Sequence, residues 1–339
     1  MKILQRILHL FLLLVLSITI FSCTPDSFEI VDQVESDHAI ISKSRKIVNN
    51  PSLLPIISCA NLGNEPGLIT DSTPGIKEKS DIYQNRKEIK VKLYFHIVRE
   101  DDGSGGIDES ELDIITQKIN DAFRTNLNPN DPNAKPYPNP FKFFRAKRVD
   151  YINNSDLLYN EIYFSPTSSI PSETELLTSI NNDPEAINIY IVKELFATNG
   201  SSNNIQFGGY GFGKRAVISR YFDVYLSNVG AHEVGHCFGL RHTFEQSNQL
   251  CLSADPYTTG DRIVDTPLHK NSYTGVEPFS CEFTNPVPMS TNCGEPIPDE
   301  DLIFLSKNIM SYTHDSCLQG FTSNQLFEMV LKERSYFTH

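Results

Sequence analysis

The sequence predicts an α+β fold: a mixed sheet backed by helices, followed by an irregular half stapled by cysteines. Three observations carry this. Runs of alternating and β-branched residues recur before residue 220, the pattern of strands. Between them, one segment repeats apolar residues at three- and four-residue spacings, the pattern of an amphipathic helix. Beyond residue 245 periodicity fades, and four of the seven cysteines fall between positions 251 and 317.

The first 22 residues stand apart from that fold. Lys2 and Arg6 precede an almost wholly apolar run from Ile7 to Phe21, and Ile20-Phe21-Ser22-Cys23 follows. This resembles a bacterial lipoprotein signal, with Cys23 as the lipidated residue of the mature chain; an ordinary secretory signal and an uncleaved anchor are the other readings. All three place the rest of the chain outside the cytoplasm, in the cell envelope or secreted, where disulfides persist. Residues 23–85 are rich in Ser, Asn, Asp, Pro and Gly, and are expected to be a tether and prosegment. Residues 86–339 are expected to form one domain. The net charge of −13 argues against nucleic acid as a partner, because phosphate binding needs a basic surface.

Within the domain, Ile89-Lys90-Val91-Lys92-Leu93-Tyr94-Phe95-His96-Ile97-Val98 reads as a strand. The turn at residues 101–106 leads to Asp108, which opens a helix with Leu112, Ile115, Ile119, Ala122 and Phe123 on one stripe. Phe141 to Ile152 reads as a second strand, Ser172 to Ile180 as a short helix and Ala186 to Val192 as a third strand. Gly208-Gly209-Tyr210-Gly211-Phe212-Gly213 reads as a flexible rim leading into an edge strand, Ala216 to Ser219. Such an edge offers its backbone to an extended peptide. Tyr225 to Phe238 is expected to be the next helix. Ser323 to Phe337 closes the chain as another, with Leu326, Met329, Val330 and Tyr336 inward.

The chemistry is concentrated in His232-Glu233-Val234-Gly235-His236-Cys237-Phe238-Gly239-Leu240-Arg241-His242. On a helix, His232 and His236 stand one turn apart on one face and reach one ion. Gly239 can adopt positive φ and turn the chain back, so that His242 supplies a third nitrogen. Three protein ligands leave one tetrahedral position open, which is the catalytic zinc pattern rather than the closed structural one. Glu233 follows the first ligand by one residue and can reach solvent at that open position without binding the metal.

Other features are less specific. Gly260-Asp261-Arg262-Ile263-Val264-Asp265-Thr266-Pro267 holds two carboxylates in a loop, which suits either calcium or a solvated turn. The four late cysteines allow three pairings; a zinc ribbon would need C-x-x-C spacing, which they lack. Met310 and Tyr312 lie in Asn308-Ile309-Met310-Ser311-Tyr312. Cys237 reads as a small core residue. His38, His96, His269, His314 and His339 have no ligand spacing.

Together these residues resemble the metzincin zinc proteases, whose mark is the elongated zinc motif followed by a methionine turn. Within them the chain is similar to the pappalysin (cytophagalysin, ulilysin-like) family. The similarity runs through His232–His242 with Thr243-Phe244, Gly260-Asp261, Asp265-Thr266-Pro267, Asn308–Tyr312, Asp315-Ser316-Cys317 and Phe321-Thr322 with Gln325. It implies a zincin-like fold with a twisted mixed five-stranded sheet and two long helices above an irregular, disulfide-bonded lower subdomain. It implies zinc on His232, His236 and His242, Glu233 as general base and acid, Met310 beneath the metal, and Tyr312 as a phenol for the oxyanion. It also implies disulfides Cys251–Cys293 and Cys281–Cys317, and calcium near Asp261, Asp265 and Thr266.

The expected activity is that of a monomeric zinc endopeptidase acting on polypeptides. An acid at Asp315 is similar to that of family members preferring Arg or Lys after the scissile bond. Cys59 is a candidate latency switch, a thiolate being a good fourth zinc ligand. Maturation between Asn85 and Arg86 would remove it. The contrasting reading is a non-catalytic envelope lipoprotein that keeps the frame as a binding module; the intact Glu233 and three histidines argue against it. A zinc enzyme with Glu as third ligand is disfavoured by His242.

Overall fold

The computed structural model describes residues 88–127, 140–162, 173–198, 204–221, 227–244, 260–263, 265–266, 269, 276–277, 279–282 and 305–336. All lie in the unit Pro51–His339. The expectations for Cys23, Cys59, Cys251, Cys293 and the side chain of Tyr336 lie outside the described residues.

The fold is α+β. Strand β1 (Ile89–Arg99) is followed by α1 (Glu109–Arg124), β2 (Asn126–Leu127), β3 (Phe141–Arg145), β4 (Asp150–Asn153), α2 (Ser155–Leu158), β5 (Tyr159–Ile162) and α3 (Glu173–Ser179). Then come β6 (Ile187–Val192), β7 (Glu194–Thr198), β8 (Asn204–Gln206), β9 (Gly209–Phe212), β10 (Arg215–Ser219), α4 (Val229–Cys237), β11 (Phe321–Thr322) and α5 (Ser323–Tyr336). The main sheet runs β3-β1-β6-β10-β9, with β4 also on β1. It is therefore five positions wide, and two short strands share the place beyond β1. All its pairings are parallel except β9 with β10.

Both faces of this sheet are covered, which is why β1 is apolar almost throughout. Val91, Leu93, Phe95 and Ile97 join Leu112, Ile115, Ile119 and Phe123 of α1 and Val229, Val234 and Phe238 in and after α4. Val98 faces the other way, in a second core with Leu158, Leu177, Tyr190, Val192 and Leu195. The small sheet β5-β7-β8, which periodicity did not predict, contributes Leu195 to that core. The Asp108 carboxylate accepts from the Ser110 amide at 2.8 Å and caps α1. The predicted stripe on α1 is buried in full. Among the described residues no helix is long and apolar enough to cross a membrane.

Two expectations about strands are corrected. Phe141 to Ile152 is not one strand. It pairs with β1 at Ile89–Leu93, leaves the ladder over residues 146–149, and pairs again at His96–Arg99. Ala216 to Ser219 is not an edge: β10 lies between β6 and β9, and β9 is the terminal strand. The glycines masked this, since strand propensity scores glycine poorly.

At the opposite side of the sheet, α1 closes part of the β3 edge with one side chain. Asn120 Oδ1 accepts from the Phe143 amide at 3.0 Å, and Asn120 Nδ2 donates to the Phe143 carbonyl at 2.9 Å. The amide thus takes the place of a neighbouring strand. Asn120→Ala is expected to lower unfolding stability by about 1–3 kcal/mol, because a backbone donor and acceptor lose their partner. Urea denaturation of the two proteins measures it; equal midpoints and slopes would contradict this account.

Candidate metal centre

Helix α4 is short and buried on every side: all nine residues from Val229 to Cys237 are buried. It begins at Val229 rather than at the expected Tyr225. Its start is tied to the segment before α5, where the Asp315 carboxylate accepts from the Asn228 amide at 2.7 Å. Asn228 Nδ2 donates to the Leu318 carbonyl at 3.2 Å.

The helix ends as the sequence predicts. Gly239 has φ +84°. Its amide donates to the His236 carbonyl at 2.8 Å, and the Leu240 amide donates to the Gly235 carbonyl at 3.1 Å. These two bonds make a Schellman motif. The turn then serves the site directly. The Leu240 carbonyl comes within 2.8 Å of His236 Nδ1, and two residues on, His242 reaches the other two histidines.

The three imidazoles converge. His236 Nε2 lies 3.2 Å from His232 Nε2 and 3.1 Å from His242 Nε2. Ligand nitrogens on one tetrahedral zinc, at bonds of about 2.0–2.1 Å, stand about 3.3 Å apart. Among the described residues, these three form the one group of three or more His, Cys, Asp or Glu able to hold an ion.

The second half of the molecule sets the tautomers. His232 Nδ1 lies 2.6 Å from the Ile309 carbonyl oxygen. A carbonyl accepts only, so Nδ1 carries the proton in His232 and in His236, and each Nε2 presents its lone pair. The donor set therefore fits zinc: His232 and His236 aim lone pairs at one point, and His242 Nε2 lies beside it. Ile309 belongs to the methionine turn, which also accepts from the Thr243 amide through the Met310 carbonyl at 3.1 Å.

Two groups of contacts press this turn and the sheet against α4. A Cβ at Gly235 would lie 2.5 Å from Met310 Sδ, so the methionine packs directly on the helix backbone between His232 and His236. Asn308 and Gln325, both buried, exchange amide bonds at 3.0 and 3.3 Å, anchoring the turn to α5. On the sheet side, a Cβ at Gly209 would lie 2.4 Å from Glu233 Oε1, and one at Gly211 2.4 Å from the Glu233 carbonyl oxygen. The glycine run is thus no flexible rim. It is a strand whose bare backbone lies against the helix, with the Glu233 carboxyl held beneath Gly209. These glycines escaped the sequence reading because their need is set by a neighbour distant in the chain.

The other expected residues are placed as follows. Tyr312 is nearly buried, its ring 4.7 Å from that of His242 and 6.1 Å from that of His232. Cys281 and Cys317 form a disulfide. Asp261 and Thr266 are buried together, with Thr266 Oγ1 2.7 Å from both Asp261 carboxylate oxygens. Asp265 Oδ2 instead accepts from the Asn324 amide of α5 at 3.0 Å. Cys237 is a core residue, as expected, with Sγ 3.2 Å from the Arg215 carbonyl oxygen. His96 is buried between Asp150 and Asn188.

Burial, followed by the influence of His242, pushes His232 down to about 3. Burial, followed by His242 and His232, holds His236 well below its ordinary value. Unfolded His232 takes up a proton near about 6.5, whereas the folded residue stays neutral until about 3. The unfolded chain therefore binds more protons in that window, and metal-free protein is expected to lose stability as pH falls through it. Thermal melts of chelator-treated protein between about pH 7.5 and about pH 5 check this; a constant melting temperature would refute it.

Comparison with known proteins finds the following likenesses. The family described as peptidase M43, pregnancy-associated plasma protein-A, matches residues 173–332. Human pappalysin-1 is 30% identical over 112 residues, which cover 29% of this chain and 6% of that protein. The match thus spans a small part of the human protein. An extracellular metalloprotease of Sordaria macrospora is 26% identical over 262 residues, covering 74% of this chain and 75% of that one. Of solved structures, Tannerella forsythia promirolysin covers 77% of this chain and 87% of its own, at 19% identity and a TM-score of 0.47. The match across 173–332 takes in the helix, the third histidine and the methionine turn alike, and over that stretch the chain is similar to the pappalysin-like metzincin metalloproteases.

Proposed function

We propose that this chain is an exported zinc endopeptidase that hydrolyses polypeptide bonds. The observation that carries the reading is the convergence of His232, His236 and His242, with Glu233 buried on the same helix. The fungal relatives named extracellular metalloproteases support export. A lipid on Cys23 would keep the mature chain at the membrane surface.

Zinc, when bound, polarises a substrate carbonyl and lowers the pKa of water to about 7. The chain's residues do the remainder. Glu233 takes a proton from the attacking water and passes it to the leaving amine nitrogen. A carboxylate suits this role because it can take and return a proton near neutral pH; that of Glu233 lies against Gly209. Gly209 belongs to the terminal strand β9, so an extended peptide paired there would run past Glu233. Tyr312, beside His242, supplies a phenol hydrogen bond to the developing oxyanion. Met310 gives the metal an apolar floor.

A structural cation belongs to the same reading. Thr266 Oγ1 also lies 2.7 Å from the Ile263 carbonyl oxygen. One hydroxyl proton cannot serve three oxygens, and burial pushes the Asp261 carboxyl up. A calcium ion near Asp261 and Thr266, with Asp265 adjacent, would relieve that crowding. Latency through Cys59 on the zinc is a further part of the proposal.

Glu233→Gln is expected to cut peptide hydrolysis by at least about 10²-fold while zinc content stays at that of wild type. Undiminished hydrolysis by the variant would sink the assignment of Glu233. Asp315 is proposed to favour Arg or Lys just after the scissile bond. Because one of its oxygens accepts from Asn228, Asp315→Asn is the suitable variant: it keeps an acceptor and removes the charge. Peptide-library profiling is expected to show the basic preference in wild type and its loss in the variant. An apolar preference common to both would reject the proposal.

A further inference from the structure

We propose that His269 is a positioning residue for the third zinc ligand. The proposal rests on the zinc-peptidase reading above. His232 and His236 are fixed by their helix, but His242 stands beyond it, in a segment with no regular structure. Beside the direct ring contacts of Phe244 and Tyr312, holds on the residues that follow His242 help to align it. The Met310 carbonyl holds the Thr243 amide. His269 supplies a second hold. Its Nε2 lies 2.7 Å from Thr243 Oγ1 in a buried hydrogen bond. Its ring also stands edge-on to Phe244, with centroids 6.2 Å apart.

Phe244 in turn stacks on His242, with centroids 4.9 Å apart and planes within 5° of parallel. His269 thus engages both residues that follow the ligand, one by hydrogen bond and one by ring contact. It is 2% exposed, and Thr243 is 1% exposed, so solvent cannot take over the bond. The segment carrying His269 is itself secured. Three residues earlier, Thr266 is bonded to Asp261, and Asp265 accepts from the first turn of α5. Groups that orient metal ligands from behind typically contribute 10–100-fold to metal affinity. The position of His269 carries no ligand spacing, so its role is visible only in the folded chain.

The test is zinc release from full-length protein into a chromophoric chelator, with thermal stability measured in parallel. His269→Phe keeps the ring and deletes the nitrogen. Thr243→Val deletes only the hydroxyl and carries the test if the first variant does not fold. Each is expected to release zinc about ten- to a hundredfold faster than wild type. The double variant is expected to release it no faster than the faster single one, because both remove the same bond. His269→Gln, which restores a polar partner for Thr243, is expected to regain most of the wild-type rate. Release at the wild-type rate from Thr243→Val or from His269→Phe would overturn the proposal, whatever the melting temperatures. A wild type that takes up no zinc would overturn the peptidase reading and this proposal with it.

Discussion

The site depends on a repulsion that must be relieved. The Nε2 lone pairs of His232 and His236, aimed at each other at 3.2 Å, are unfavourable without a cation between them, and burial removes the water that would screen them. The surrounding structure keeps the rings from turning away. The Ile309 and Leu240 carbonyls hold the far nitrogens of His232 and His236. The helix therefore meets the metal with its donors already oriented. Little conformational freedom remains to be lost on binding, which is the energetic logic of a preorganised ligand set.

Those carbonyls come from opposite directions, and this ties the fold to the chemistry. Leu240 is part of the Schellman turn, so the hydrogen bonds that end α4 also orient its second ligand. Ile309 comes from the segment before α5, whose anchor is the buried Asn308–Gln325 amide pair. The disulfide Cys281–Cys317 and the Asp315–Asn228 bond also tie down the residues that follow it.

Much of this was legible in the sequence, and the limits have physical causes. The helical spacing of His232 and His236, the positive φ of Gly239 and the stripe on α1 are local properties, so they could be read residue by residue. The run Gly208–Gly213 was misread because a glycine selected for close approach looks the same as one selected for flexibility. Only the folded chain shows Glu233 against Gly209 and Glu233 with His236 against Gly211. The interior position of β10 was hidden for the same reason. The break between β3 and β4 and the Asn120 bridge depend on register, which periodicity does not encode. His269 shows the limit most plainly: nothing in its neighbourhood marks a histidine that meets Thr243 from 26 residues away.

The glycines around α4 have a consequence for how such an enzyme can diversify. Met310 leans on Gly235, β9 lies on Glu233 and His236, and Ile115 of α1 approaches Gly230. Sheet and turn thus press on the helix that carries His232 and His236 at bare-backbone distance, and Ile115 packs closely on a third side, leaving little room to tilt it. Sequence change is therefore better tolerated away from this element, in surface loops, where insertions are cheap. The reacting centre stays frozen while the surface around it is free to drift.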